Sequence, residues 1–261
     1  LSKNFNFPKK VNFIFHCAGY ARPKKWASDK IGTIKLNVNG TENLLGLAKK
    51  NKAKFMFFSS LDVYGQVPLR KLPVKEVYKG YIDSSDYKNS YGEAKRLGEN
   101  ICSVYREEKK VKAYVVRIFH TYGPGIKMKD ERVIADIIRS AYLKKKINLK
   151  DSGKSIKHFC YILDAVLMMT NIITNGKSFV YNIAGNQVCS IKELSYIIGK
   201  EFNLKKKDIK VKNKKELYIK NFNDKIYASV KKYENEFGKI EYQDFITGMR
   251  KIIQWMKYDL I

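Results

Sequence analysis

The sequence predicts a doubly wound α/β fold, an open parallel sheet with helices on both faces. Two observations carry this. Short apolar runs without polar alternation recur along the chain, as expected of strands covered on both sides. Between successive runs lie stretches whose apolar residues follow the three-and-four spacing of a helix, so each strand reaches the next by a crossover that makes the pair parallel. A chain of 261 residues with 44% hydrophobic residues has enough apolar material for one large core or two small ones.

The first strand is Val11 to Cys17 (VNFIFHC), ending in Ala18-Gly19. A helix over Asn39 to Lys50 follows, with Leu44, Leu45, Leu47 and Ala48 on its apolar face. Lys54 to Ser60 (KFMFFSS) is the second strand. Tyr91 to Lys109 is the next helix, where Ala94, Leu97, Ile101, Val104 and Tyr105 keep helical spacing. Val111 to Phe119 is the third strand, and His158 to Ile162 is a later one, leading into a helix from Leu163 to Ile173. Ser190 and Glu193 form a capping box for a helix running to about Phe202. A last helix, about Tyr242 to Lys257, buries Phe245, Met249, Ile252, Ile253 and Met256. These elements divide into a sheet domain over 1–122, to which 156–176 returns, and a smaller lobe over 123–155 and 177–261. The lobe is expected beyond the carboxyl ends of the strands, where open α/β sheets bind ligands.

Formal charge is +27, from 52 Lys plus Arg against 25 Asp plus Glu. Only eight of the 52 are Arg, and the Lys fall in short scattered groups such as Lys49-Lys50 and Lys205 to Lys207. Nucleic-acid surfaces favour Arg gathered into a stripe beside aromatic residues, so the excess reads as solvated surface and no nucleic-acid partner is expected. Cys17, Cys102, Cys160 and Cys189 are far apart, which predicts thiols of a cytoplasmic protein with neither a disulfide frame nor a metal site. No apolar stretch is long enough to span a membrane and no charged-then-apolar leader opens the 261 residues, so a soluble protein whose beginning is missing is the expectation.

The most informative local group is Tyr91-Gly-Glu-Ala-Lys95. Four residues apart on a helix, both side chains share a face, so the ammonium can favour ionisation of the phenol. A phenol with a lowered pKa can take a proton from a sugar or alcohol hydroxyl. In a chain rich in Lys and Tyr the same spacing also suits a solvated helix face. Position strengthens the chemical reading, because this helix follows the strand that ends in Ser59-Ser60. A hydroxyl at that strand end, aimed into the crevice, can bind the same substrate hydroxyl; a strand-terminating cap is the plain alternative.

Taken together, these segments resemble the extended short-chain dehydrogenase/reductase family of NAD-dependent nucleotide-sugar epimerases, dehydratases and decarboxylases. His16-Cys17-Ala18-Gly19 looks like the family's strand end beside the cofactor. Asn37-Val38-Asn39-Gly40-Thr41-Glu42-Asn43-Leu44 is similar to its helix start, and Ser59-Ser60-Leu61-Asp62-Val63-Tyr64-Gly65 to its serine turn. Arg117-Ile118-Phe119-His120-Thr121-Tyr122-Gly123-Pro124 resembles its Arg-x-x-Asn-x-Tyr-Gly-Pro stretch, with His in place of Asn. The resemblance implies a Rossmann-like fold that takes NAD and assembles as a homodimer. It implies Tyr91 as catalytic base, Lys95 as its electrostatic partner and ribose ligand, and Ser60 as the hydroxyl-binding third member. Ala18, Gly19, Asn37 and Ser59 would lie along NAD. His120 would touch the substrate's phosphates or else be a buried, hydrogen-bonded His. Lys157 stands where the family has an Arg on the diphosphate, supplying its charge without the bidentate fork. Asn223 to Lys232 matches the last substrate-binding stretch only loosely.

The family's branches share oxidation at the sugar C4 and differ afterwards. Dehydratases carry two adjacent acids at the serine turn, whereas this chain has Leu61 and then Asp62, the single acid of UDP-glucuronate decarboxylases. Asp130 to Ile138 (DERVIADII) also resembles the decarboxylases, with Arg132 as a substrate contact. Decarboxylation is therefore the first expectation, with 4-epimerisation or 4,6-dehydration as alternatives; a purely turn-capping Asp62 would erase the distinction. The family opens with a strand and a Gly-x-x-Gly-x-x-Gly loop that cradles the NAD pyrophosphate, and the 261 residues contain no such loop. The chain is thus expected to be the C-terminal part of a longer enzyme, or else an inactive truncated remnant. Val11 to Cys17 corresponds to the family's fourth strand and is expected to form an exposed apolar edge.

Overall fold

A computed structural model describes residues 10–20, 23–127, 129–212 and 224–258. Its largest sheet joins β1 (Phe13–His16), β2 (Lys54–Ser60), β3 (Ala113–Ile118) and β7 (Val180–Ile183) in that order, all parallel. Alternate residues of these strands feed two cores. Ile14, Phe55, Phe57, Ala113 and Val115 pack under α2 (Lys30–Asn51) and α3 (Ser90–Glu108). Met56, Tyr114, Val116, Tyr181 and Ile183 pack under α5 (Ile162–Asn175). This two-sided cover is why the strands read as continuous apolar runs.

The remaining elements are α1 (Pro23–Ser28), β4 (His120–Tyr122), α4 (Val133–Lys144), β5 (Ile147–Asn148), β6 (Ile156–Tyr161), β8 (Gln187–Ser190), α6 (Ile191–Glu201), β9 (Ile209–Lys210), α7 (Lys231–Phe237) and α8 (Phe245–Tyr258). Strand β6 pairs with β4 in parallel and with β8 antiparallel, while β5 pairs with β9. A separate core of Ile134, Ile138, Leu194, Ile198, Met249 and Ile252 unites α4, α6 and α8.

Strand pairing differs from the sequence division at two places. Residues 156–161 form part of the small sheet rather than returning to the large one, and it is β7, from the stretch assigned to the lobe, that joins β3. An apolar run reports that a strand is buried, not which sheet buries it. The helix expected from Asn39 begins nine residues earlier, at Lys30, capped by the Asp29 carboxylate, which accepts from Gly32 N–H at 2.9 Å. Its first half hides a ladder of polar side chains. Thr33 donates to Asp29 O, Asn37 to Thr33 O and Thr41 to Asn37 O, all at 2.5–2.9 Å. Because those groups satisfy one another along the helix, a polar face is buried there, and apolar periodicity could not find it.

Candidate active site

A crevice of about 980 Å³ opens at the carboxyl ends of β2 and β3 and is lined by Ser60, Asp62, Tyr91, Lys95, His120 and Lys157 among others. It forms where β2 stops. The Ser60 hydroxyl caps a single 3₁₀ turn, Leu61–Tyr64, by accepting the Asp62 N–H at 3.3 Å, and it donates to the Asp62 carboxylate at 2.8 Å. The turn leaves through Gly65, whose φ of 53° is in the left-handed region and whose backbone lies so near Tyr81 O that a Cβ would stand 1.9 Å from it. Helix α3 presses its first turn onto the same spot. A Cβ on Gly92 would lie 3.0 Å from Asp62 O, so a glycine beside Tyr91 lets the phenol approach the serine turn.

The Tyr91 phenol has its pKa raised, first by burial and then by the Asp62 charge, with the Ser60 hydroxyl opposing them. This corrects the expectation that Lys95 lowers it. The Lys95 ammonium lies 5.8 Å from the Tyr91 ring centroid and donates to Phe58 O at 2.8 Å, so its charge is directed to the strand backbone. Lys95 is only 5% exposed, and desolvation lowers its own pKa to about 8. Burial likewise raises the Asp62 carboxyl, opposed by the Ser60 hydrogen bond and by the charges of Lys157 and Lys95.

The other sequence candidates are distributed around this centre. Lys157 lies on β6 with its charge felt by Asp62, Asp224 and Asp151. His120 is held neutral, with a pKa lowered to about 3 by burial and then by Lys157; its Nδ1 is buried without a hydrogen-bond partner among the described residues. Arg132 reaches the crevice wall with its guanidinium paired to both Asp130 carboxylate oxygens at 2.9 Å. Ser59 donates to Glu99 at 2.6 Å, and Glu99 is gripped in turn by Arg117 at 2.9 and 2.7 Å, so the Ser59 hydroxyl belongs to a buried network.

Gly19 lines the crevice, whereas Ala18 and Asn37 do not. A Cβ on Gly19 would lie 3.4 Å from Lys95 Nζ and 3.5 Å from Asn37 Oδ1. That Oδ1 is buried without a hydrogen-bond partner among the described residues. Bare backbone, amide oxygen and ammonium together fit the nicotinamide riboside end of NAD. Among the described residues no group of three or more His, Cys, Asp or Glu side chains is arranged to hold a metal.

Sequence reasoning missed Trp26. This residue of α1 lies 5.5 Å from Tyr91, ring centroid to ring centroid, with 19° between the planes. No periodic signal marks a six-residue helix, and an isolated Trp is silent about its partner.

The model of the NAD dependent epimerase/dehydratase family matches residues 2–184. The chain belongs to this family. UDP-glucuronic acid decarboxylase 1 of Xenopus tropicalis is 32% identical over 189 residues, 72% of this chain and 44% of that protein. UDP-glucuronic acid decarboxylase 6 of Arabidopsis thaliana is 32% identical over 203 residues, 78% of this chain and 58% of that protein. The chain thus spans about half the length of the curated relatives it matches. The fold is shared with a dTDP-glucose 4,6-dehydratase from Bacillus anthracis in complex with NAD, with a TM-score of 0.77, 24% identity and coverage of 95% of this chain and 73% of that one. It is shared also with RMD from Pseudomonas aeruginosa complexed with NADPH, with a TM-score of 0.83, 22% identity and coverage of 97% and 84%. Membership and fold agree with the expectation drawn from the motifs.

Proposed function

We propose that this family member acts on a nucleotide sugar through a 4-keto intermediate and that its reaction is decarboxylation of UDP-glucuronate. The observation that carries the reading is the convergence of Tyr91, Ser60, Asp62 and Lys157 in one crevice, with the Lys157 charge felt at Asp62. Ser60 holds the sugar C4 hydroxyl, and Tyr91 takes its proton. Bound NAD supplies the acceptor for the C4 hydride. The C5–C6 bond pair passes into the enolate of the resulting ketone as the carboxylate leaves as carbon dioxide, and C5 then takes up a proton before the C4 hydride is returned. Lys157, half-buried in the same crevice as Asp62, offers the cation that a sugar carboxylate requires, a role at the sugar end in place of the diphosphate clamp. His120, being neutral, contributes hydrogen bonds but no charge to the phosphates, and Arg132 contacts the substrate from the opposite wall.

Turnover of UDP-glucuronate by the protein as its gene encodes it, followed by mass spectrometry, should fall at least about a thousandfold in Tyr91→Phe. Retained turnover would sink the assignment. One observation favours 4-epimerisation as a second reading: the Asp62 carboxylate accepts the Ser60 hydroxyl and so also serves the turn. The mass of the product separates the two, because it falls by carbon dioxide under the first reading and is unchanged under the second.

The cellular setting we infer is cytoplasmic, in keeping with four free cysteines. Assembly as a homodimer is supported by apolar side chains on adjoining helices, Ile31 and Ile34 of α2 and Leu97 and Val104 of α3, all more than 40% exposed. Light scattering should give twice the chain mass, reverting to one mass in Leu97→Glu.

A further inference from the structure

Trp26 is buried, at 9% exposed, but it belongs to none of the four apolar clusters formed by the described residues. It lies near-parallel to the ring of Tyr91, and both residues line the crevice. The short helix that carries it is anchored on two further sides. Toward α2, Asp29 N–H donates to Lys25 O at 3.1 Å, which joins α1 to the capped start of the longer helix. Across the crevice, Lys24 Nζ meets Glu131 Oε1 at 2.5 Å, although the two residues are 107 apart in sequence. Lys24 and Trp26 thus connect the wall that bears Glu131 to the phenol of Tyr91.

We propose that Trp26 is a positioning residue, a flat clamp that fixes the plane of the Tyr91 ring and so aims its hydroxyl at Ser60. The proposal rests on the reading of Tyr91 as the base. The first side-chain torsion of a tyrosine carries the phenol oxygen, and the second sets the ring plane, in which the phenolic O–H bond and lone pairs lie. On the turn side, Gly92 and Asp62 O constrain the backbone, and Lys95 Nζ approaches the ring at 5.8 Å from its centroid. An indole against one face removes the ring's remaining freedom, which matters because proton transfer demands hydrogen-bond geometry in the reacting complex. Stacking also keeps water from the phenol, in line with burial as the first cause of its raised pKa.

Ring flipping of Tyr91 tests the clamp directly in the 261-residue chain, whether or not that chain turns over substrate. Tyrosine labelled with carbon-13 at the ε positions is incorporated, and the Tyr91 signals are assigned by their loss in Tyr91→Phe. Two resolved ε signals are expected in the parent and in Trp26→Phe, and a single averaged signal in Trp26→Ala. Trp26→Leu, which fills the space without a flat face, should behave like the Ala variant and decides the matter if the Ala variant does not fold. One averaged signal in the parent, or two unchanged signals in both non-aromatic variants, overturns the proposal.

Turnover supplies the second readout. Loss of the clamp should lower kcat about 10- to 100-fold with KM little changed, while Trp26→Phe restores most of it. The midpoint of the rise of kcat with pH should also move to lower pH in Trp26→Ala, since a rehydrated phenol ionises more easily; a merely destabilised protein would keep its midpoint. If Tyr91→Phe is inactive but Trp26 leaves flipping and kcat untouched, the clamp fails and the base stands. If Tyr91→Phe keeps full turnover, the base fails and the clamp has nothing to position.

Discussion

Tyr91 and Lys95 share a helix face as the spacing requires, yet their chemistry is set by burial more than by each other. The phenol pKa is raised by desolvation and by Asp62, while desolvation lowers the ammonium to about 8. Two predictions follow at this scale. A base must lose its proton to act, so turnover should rise toward alkaline pH. Asp62→Asn removes one of the charges that hold the proton on Tyr91, and should move the midpoint of any residual C4 oxidation to lower pH. The opposite shift, or none, contradicts the assigned cause. For stability, Lys95 is a base with a depressed folded pKa, so between about 8 and its ordinary value of 10.5 the unfolded chain holds a proton that the folded chain has released. The contribution of Lys95 to stability therefore grows as pH rises through that window, by up to about 1.4 kcal/mol per pH unit. Buried tyrosines with raised pKa pull the other way, so denaturant midpoints of the parent and Lys95→Met must be compared pH by pH. The difference between them should lose the Lys95 slope. The sequence made Ser60, Asp62, Tyr91 and Lys95 legible because motif and helical spacing bring them together. It could not reveal the direction of the Tyr91 shift, which depends on how deeply Ser60, Asp62 and Trp26 enclose the phenol.

Among the elements, those held together by apolar packing were legible to within a few residues. Strand β2 has the predicted limits, α3 and α5 lie within two residues of theirs, and the Ser190–Glu193 capping box is formed, with Ser190 Oγ accepting Glu193 N–H at 3.1 Å. Ser190→Ala should cost about 0.5–2 kcal/mol in chemical denaturation, since an N-terminal donor of α6 loses its partner. Elements held by polar groups or short-range contacts were not legible: the buried Thr33, Asn37 and Thr41 ladder of α2, and the one-and-a-half turns of α1. A different demand falls on α3, the helix that carries Tyr91 and Lys95. At Gly98 a Cβ would lie 2.4 Å from the ring of Phe57, so only a bare backbone allows α3 to sit this close to β2. Gly98→Ala should destabilise the protein by about 1–3 kcal/mol. It should also lower turnover in what remains folded, because Tyr91 and Lys95 move with the helix. Unchanged thermal unfolding and unchanged turnover would refute this account of the packing.

At the scale of the whole molecule, charge explains little and the edge of the large sheet explains more. Strand β1 pairs with β2 and, among the described residues, with no other strand. Phe13 and Phe15 stand 46% and 45% exposed on its outer face, as the sequence led one to expect of an apolar edge. Such an edge invites pairing with other chains, so Phe13→Lys with Phe15→Lys should reduce concentration-dependent association of the 261-residue chain in sedimentation. Under the proposed reading Gly19, Asn37 and Lys95 would serve the nicotinamide end of the cofactor, while the 261 residues hold no glycine loop for a pyrophosphate, and calorimetry should find NAD binding weaker than micromolar. Under the proposed function, the end of β2, the first turn of α3 and β6 bring Ser60, Asp62, Tyr91 and Lys157 to a single crevice for oxidising a sugar and releasing its carboxylate. UDP-glucuronate carrying carbon-13 in the carboxyl group tests this most directly, incubated with NAD and the protein as its gene encodes it. The expected result is labelled carbon dioxide and a sugar nucleotide that has lost the label, neither of which forms with Tyr91→Phe. A sugar product that keeps the labelled carbon would contradict it.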